Sequence, residues 1–318
     1  MKHDPRVECI WESRAELGES PIWVDDEQAL YFVDGLSGRL LRYGESEGAR
    51  EVYRHGGVIG FIAARVGGGF IAGMDNKLCE LDPVLGTAVE LAYPEPDLPR
   101  NQFNDGKVDP RGCLWAGTMD RDCAQAVGSL YYIKNDLNWR AVDQGYLCAN
   151  GPAFSPNGRI LYHTDSMKRT IYKFDLDLDV GAIANKQPFV QLDDGAGLPD
   201  GMTVDRDGRL WVAHFGGARV TAFTPDGEID TAIHLPTPNV TACAFGGARG
   251  TTLFVSTSRT WMTEAQLRES PLAGSLFACE GLAIGIPAFA FEGQSSSGAL
   301  SGPPSSPWSR NGSRQQGP

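Results

Sequence analysis

The chain has 318 residues, 42% of them hydrophobic, enough for one large core, and carries a net charge of −12 with a pI near 4.9. Such a charge repels nucleic-acid phosphates and anionic lipid, both of which attract clustered Lys and Arg, so a small-molecule partner is expected, with no nucleic acid, no membrane, and a monomer as a compatible state. Seven cysteines without a C-x-x-C pair indicate neither a disulfide framework nor a zinc knuckle, and no apolar run suits a signal peptide or membrane span, which predicts a cytoplasmic protein.

In chain order, residues 6–13 ("RVECIWES") read as a single strand, and a strand-turn-strand unit then recurs six times. The copies begin at Glu19 ("ESPIWVDDEQALYFVD"), Gly60 ("GFIAARVGGGFIAG"), Asn104 ("NDGKVDPRGCLWAG"), Asn150 ("NGPAFSPNGRILYH"), Asp200 ("DGMTVDRDGRLWVA") and Thr241 ("TACAFGGARGTTLFVS"). Their spacings of 41, 44, 46, 50 and 41 residues match four-stranded propeller blades. Each unit runs on into a third, alternating strand, from "GRLLRY" at Gly38 to "GSLFACEG" at Gly274, and turns such as "DPRG", "SPNG" and "DRDG" supply tight connections. An all-β, six-bladed β-propeller follows, one domain over residues 1–293. Pairing of "RVECIWES" with "IPAFAFEG" from Ile286 is expected to close the ring and remove free edges. From Gln294 to Pro318, sixteen of twenty-five residues are Ser, Gly or Pro and none is acidic, so residues 294–318 are expected to form a disordered tail outside the fold.

The innermost strand of every blade lines a propeller's channel, so the first residues of the six units should converge in one ring: Glu19, Gly60, Asn104, Asn150, Asp200 and Thr241. Two carboxylates and two amides meeting at a channel mouth are costly without hydrogen bonds or a cation. One divalent cation resolves this, and oxygen donors without His or Cys suit Ca²⁺, Mg²⁺, Mn²⁺ or Fe²⁺, with Zn²⁺ also possible where three protein ligands leave positions open. The bland alternative is that acids and amides at strand starts only cap turns.

The segments "LGESPIW" at Leu17, "NDGKVDPRGCLWAGTMD" at Asn104, "ANGPAFSPNGRILYHTDS" at Ala149 and "LPDGMTVDRDGRLWVAHFGGARV" at Leu198 resemble the SMP-30/gluconolactonase/LRE-like family from about Trp11 to Gly293. The resemblance implies a six-bladed propeller with one divalent metal in its channel and, in many members, hydrolysis of a sugar lactone. It places the metal ligands on Glu19, Asn150 and Asp200; by its chemistry as a carboxylate beside a metal-bound water, Asp200 is also the candidate proton acceptor. Substrate-facing positions fall on Asn104 and Asp105. Where members commonly carry Arg two residues before "ND", this chain has Gln102, taken as a further substrate contact, with Arg100 two residues behind it. The acid that follows "GTM" falls on Asp120 or Asp122, between which the alignment does not choose; Asp122 is carried as the substrate-binding candidate.

Other motifs fail on inspection. "DLDLDVG" from Asp175 begins like an EF-hand loop but has Val180 and Lys186 where Gly and Glu are required. "VGGGFIAG" opens no helix, the five histidines share no phase, and G-x-S-x-G is absent. Two other functions fit the same site: hydrolysis of an aryl or phosphate ester, and a non-catalytic Ca²⁺-binding propeller.

Overall fold

In the computed structural model, which describes residues 4 and 6–293, the six repeats become six four-stranded antiparallel sheets. Blade 1 is Gly18–Val24, Ala29–Asp34, Arg39–Gly44 and Gly48–Arg54, numbered from the inside outward. The inner strands of blades 2 to 6 are Ile59–Ala64, Asn101–Val108, Ala149–Phe154, Leu198–Val204 and Val240–Gly246. Each inner strand packs beside the next, and that of blade 6 packs back against that of blade 1, which closes the ring. The expected tail from Gln294 lies outside the described residues. Among the described residues no helix is long and apolar enough to cross a membrane.

Blade strands are buried on both faces, so several read as continuous apolar runs rather than as an alternation. All six residues of Ala29–Asp34 and all seven of Leu114–Asp120 are buried, whereas the outer strand Gly48–Arg54 is mostly exposed. The core is accordingly split into six clusters, one between each pair of neighbouring blades. Between blades 2 and 3, Phe61 meets Phe103 edge to face; between blades 5 and 6, Trp211 meets Phe245 likewise.

The turn "DPRGCLW" of blade 3 and "DRDGRLW" of blade 5 fold identically because their first Asp is a hub. Asp109 accepts from the backbone N–H groups of Arg111 and Cys113 and from Trp115 Nε1. Asp205 accepts from the N–H groups of Asp207 and Arg209, from Arg209 Nε and from Trp211 Nε1. One carboxylate thus fixes the turn and anchors the largest core side chain of its blade.

The ring closes differently from the expectation. The N-terminal strand Val7–Trp11 is the outer strand of blade 6, and its partner is Leu276–Glu280, not the segment from Ile286. The last blade has only three strands of its own and needs a fourth on the outside, where the third strand offers the open edge. The segment after Leu282 instead crosses the end of the channel opposite the ring. Ile284 O accepts from Arg206 N, Gly285 N donates to Gly250 O, Phe291 N donates to Ala64 O, and Glu292 N donates to Gly112 O. This strap ties blades 2, 3, 5 and 6 and floors a cavity of about 110 Å³ beneath the ring, lined by Ser20, Lys107, Met202, Cys243 and Phe289 among others.

Candidate active site

Each predicted ring residue sits at an irregularity in its inner strand. Pairing registers shift between Glu19 and Ile22, Ile59 and Phe61, Phe103 and Asp105, Asn150 and Ala153, Pro199 and Met202, and Val240 and Ala242. A bulge re-aims a side chain that regular pleating would send into the blade interface, so the same bulge in six blades turns six positions towards the axis.

Two of the six serve the framework. A Cβ at Gly60 would stand 2.2 Å from Phe103 O, so blade 2 offers no side chain because the neighbouring strand comes too close. Thr241 Oγ1 donates to Gly18 O at 2.5 Å, a bond from blade 6 to blade 1. Glu19, Asn104, Asn150 and Asp200 remain, and the structure brings these four together with Asp105.

The amides are held in fixed orientation. Asn150 Nδ2 donates to Ser166 Oγ at 2.8 Å, and Ser166 Oγ donates to Pro199 O at 2.6 Å. With Nδ2 so engaged, Asn150 Oδ1 accepts from Asn104 Nδ2 at 3.0 Å and keeps a second lone pair. Asn104 Nδ2 also donates to Ala149 O at 2.8 Å. Ser166 is a site residue that the sequence reading missed; it lies sixteen residues from Asn150 and orients it as an outer partner orients a ligand.

The carboxylates repel one another. Burial, and then the charges of Asp200 and Asp105, push Glu19 well above the usual carboxylate range; burial, and then Asp105, do the same to Asp200. Burial raises Asp105 to about 6 against the pull of Lys107 and of the N–H groups of Gly106 and Gly151. Lys107, also missed, shares the channel face with Asp105 through the two-residue strand period, and its Nζ donates to Met202 O at 2.7 Å. Burial lowers its pKa, opposed by Asp105. Glu19, Asp105 and Lys107 are half-buried and Asp200 is buried, so their repulsion is poorly screened.

The donor set fits a divalent ion. Ionised, Glu19, Asp105, Asp200 and Lys107 sum to −2, the charge that one such ion cancels. Among the described residues no three His, Cys, Asp or Glu side chains stand close enough to hold a metal by themselves. Glu19 and Asp200 offer carboxylate oxygens and Asn150 Oδ1 a free lone pair, while Asp105 accepts from the N–H groups of Gly106 and Gly151.

The remaining candidates stand on the rim of blade 3. Gln102 is 5% exposed, and its Oε1 has no hydrogen-bond partner. Asp122 is exposed and paired with Arg100 Nη2 at 2.5 Å; Arg100 Nε also reaches Asp120 at 3.3 Å. Asp120 is buried and caps the following turn by accepting from Ala124 N. The histidines take no part: buried His163 and His214 are pushed down to about 3 and about 4, in both cases chiefly by burial.

The model of the "SMP-30/Gluconolactonase/LRE-like region" matches residues 17–259. Regucalcin of Oryctolagus cuniculus is 33% identical over 295 residues, covering 91% of this chain and 99% of that protein. The chain belongs to the SMP-30/gluconolactonase/LRE-like family. Among solved structures, a luciferin-regenerating enzyme aligns with a TM-score of 0.83 at 28% identity, covering 90% of this chain and 99% of its own. A calcium-binding regucalcin from Agrobacterium tumefaciens shares the fold, with a TM-score of 0.84, 24% identity and coverage of 88% and 95%. Family membership and the bulged ring coincide: the matched span runs from the residue before blade 1 to two residues past the second strand of blade 6, Thr252–Thr257.

The repulsion predicts a pH effect in metal-stripped protein. Carboxyls whose folded pKa is raised hold their protons more tightly than in the unfolded chain; their contribution to stability is complete below about pH 4 and is lost as pH rises through about 6 and beyond. The melting temperature of chelator-treated protein should therefore fall between pH 5 and 7.5, and saturating divalent metal should abolish the fall. Calorimetry at the two pH values, with and without metal, checks both signs.

Proposed function

We propose that the protein is a divalent-metal-dependent hydrolase that opens sugar (aldono-)lactones to aldonic acids. The observation that carries this reading is the −2 set of Glu19, Asp105, Asp200 and Lys107 beside an Asn150 oriented by Ser166. Membership of the family supports the reaction class, and the calcium-binding description of a structural relative supports a metal. Glu19, Asn150 and Asp200 would hold the ion; all-oxygen donors suit Ca²⁺, Mg²⁺, Mn²⁺, Fe²⁺ or Zn²⁺. When bound, such an ion supplies Lewis acidity and a water of lowered pKa.

The chain's own residues do the rest. Asp200 takes up the proton from attacking water, and the charge of Lys107 favours the ionised form of Asp105. Asn104, Gln102 and Asp122 present hydrogen-bonding groups to the sugar hydroxyls from one wall. The strap closes the far end, so substrate and water enter and leave by the rim. A second reading, an aryl ester at the same site, draws on Trp261, which is 77% exposed and packed edge to face on Phe215, near the start of the blade 5 inner strand.

The test is Gln102→Arg across gluconolactone, galactonolactone, xylonolactone, arabinonolactone and an aryl acetate. Gln offers two donors and one acceptor, whereas Arg brings five donors and a fixed charge. Exchanging a neutral for a charge-assisted hydrogen bond should shift preference by about tenfold and reorder the lactones, with metal affinity unchanged. An unchanged order would remove Gln102 from the substrate wall. An aryl acetate turned over faster than every lactone would favour the second reading.

A further inference from the structure

The rim between blades 3 and 4 holds a second donor set, which lactone hydrolysis does not use. Met119 is the penultimate residue of Leu114–Asp120, Cys123 lies in the turn after that strand, and Cys148 immediately precedes Ala149–Phe154. Their sulfurs converge: Cys123 Sγ and Cys148 Sγ both donate to Met119 Sδ, at 3.7 and 3.5 Å. Three donors around a trigonal ion with metal–sulfur bonds of about 2.3 Å stand about 4 Å apart, so each Met119–thiol pair needs to open by only about half an ångström or less. Both thiols are free and partly exposed. Asp120, Asp122 and Asp165 act on Cys123, and Asp165 and Asp200 on Cys148, a negative field that favours a cation.

We propose that Met119, Cys123 and Cys148 form a binding site for a soft, monovalent d¹⁰ cation of the Cu⁺ type, separate from the hard-oxygen ring. Thiolate and thioether sulfur select such ions over Ca²⁺ or Mg²⁺. Binding makes two metal–thiolate bonds and one thioether bond, releases the two thiol protons to solvent, and transfers no electron. Cys148 Sγ lies 3.7 Å from Asn150 Nδ2, so the two sites share a wall.

The experiment is anaerobic competition for Cu⁺ between the intact protein and a chromogenic Cu⁺ chelator, with ascorbate as reductant. One Cu⁺ per chain should leave the chelator. Cys123→Ser and Cys148→Ser should each weaken binding by about 100-fold or more, and Met119→Leu by about tenfold. Cys123 sits in a turn, and melting curves will show that its variant is folded. Retention of all Cu⁺ by the chelator, or undiminished uptake by the folded Cys123→Ser variant, would overturn the proposal. The readout involves no lactone, so it stands or fails apart from the hydrolase reading.

Discussion

Asp200→Asn is expected to lower the rate of lactone hydrolysis by about a thousandfold or more, and at the same time to raise the melting temperature of the metal-stripped protein. Both effects follow from one carboxylate. Removal of an outer partner of a metal ligand typically costs 10–100-fold in affinity or activity, and Asp200 is proposed as both a ligand and the proton acceptor, so its loss exceeds that range. Without metal, however, Asp200 is a buried charge raised well above its ordinary pKa by burial and by Asp105. Neutralising it relieves Glu19 as well, for which Asp200 is the largest charge partner. Activity assays and paired melting curves, with and without chelator, separate the two. A variant that is merely misfolded would lose activity and melt lower; the opposite shift in stability marks a functional carboxylate held against its own preference.

Asp205→Ala should do the reverse: cost about 3–5 kcal/mol of stability and leave the activity of each folded molecule unchanged. Asp205 is fully buried and accepts from Trp211 Nε1 at 2.8 Å, Arg209 Nε at 2.8 Å and two backbone N–H groups at 3.0 Å. Arg209 keeps Asp207 and Asp230, but the removal leaves the buried indole N–H and two turn N–H groups without their acceptor, at about 1–3 kcal/mol for each unsatisfied group. Because 1 kcal/mol moves the melting temperature of a large domain by about 2–4 °C, a fall of roughly 10 °C is expected. Asp109→Ala in blade 3 should behave alike, since Asp109 makes the matching bonds to Trp115 and its turn. A drop of less than about 2 °C in both variants would show that the turn hubs are dispensable.

The fold was legible because a blade is a local object. Its turn residues, apolar triplets and period of 41 to 50 residues all lie within one short window, and six copies average out the noise. The ring positions were legible for the same reason, since a repeated bulge puts equivalent residues on the axis. What the pattern hid was direction and partnership across blades. "IPAFAFEG" alternates like a strand, yet it runs across the floor because Val7–Trp11 already covers the last free edge. Gly60 and Thr241 share the ring phase, but the close approach of Phe103 O and the bond to Gly18 O make them framework residues. Ser166 meets Asn150 through strand pairing within blade 4, where Ala149 lies opposite Asp165, and it reaches blade 5 only through its bond to Pro199 O. Lys107 alone had a readable signal: it stands two residues after Asp105 in the same strand, hence on the same face.

The most direct test of the account is the lactone hydrolysis rate of protein stripped of divalent metal and then titrated with it. Stripped protein should be inactive, and activity should return in proportion to occupancy up to one ion per chain. No such return is expected in Glu19→Gln or Asp200→Asn. Full lactone hydrolysis by the stripped wild-type protein would contradict it.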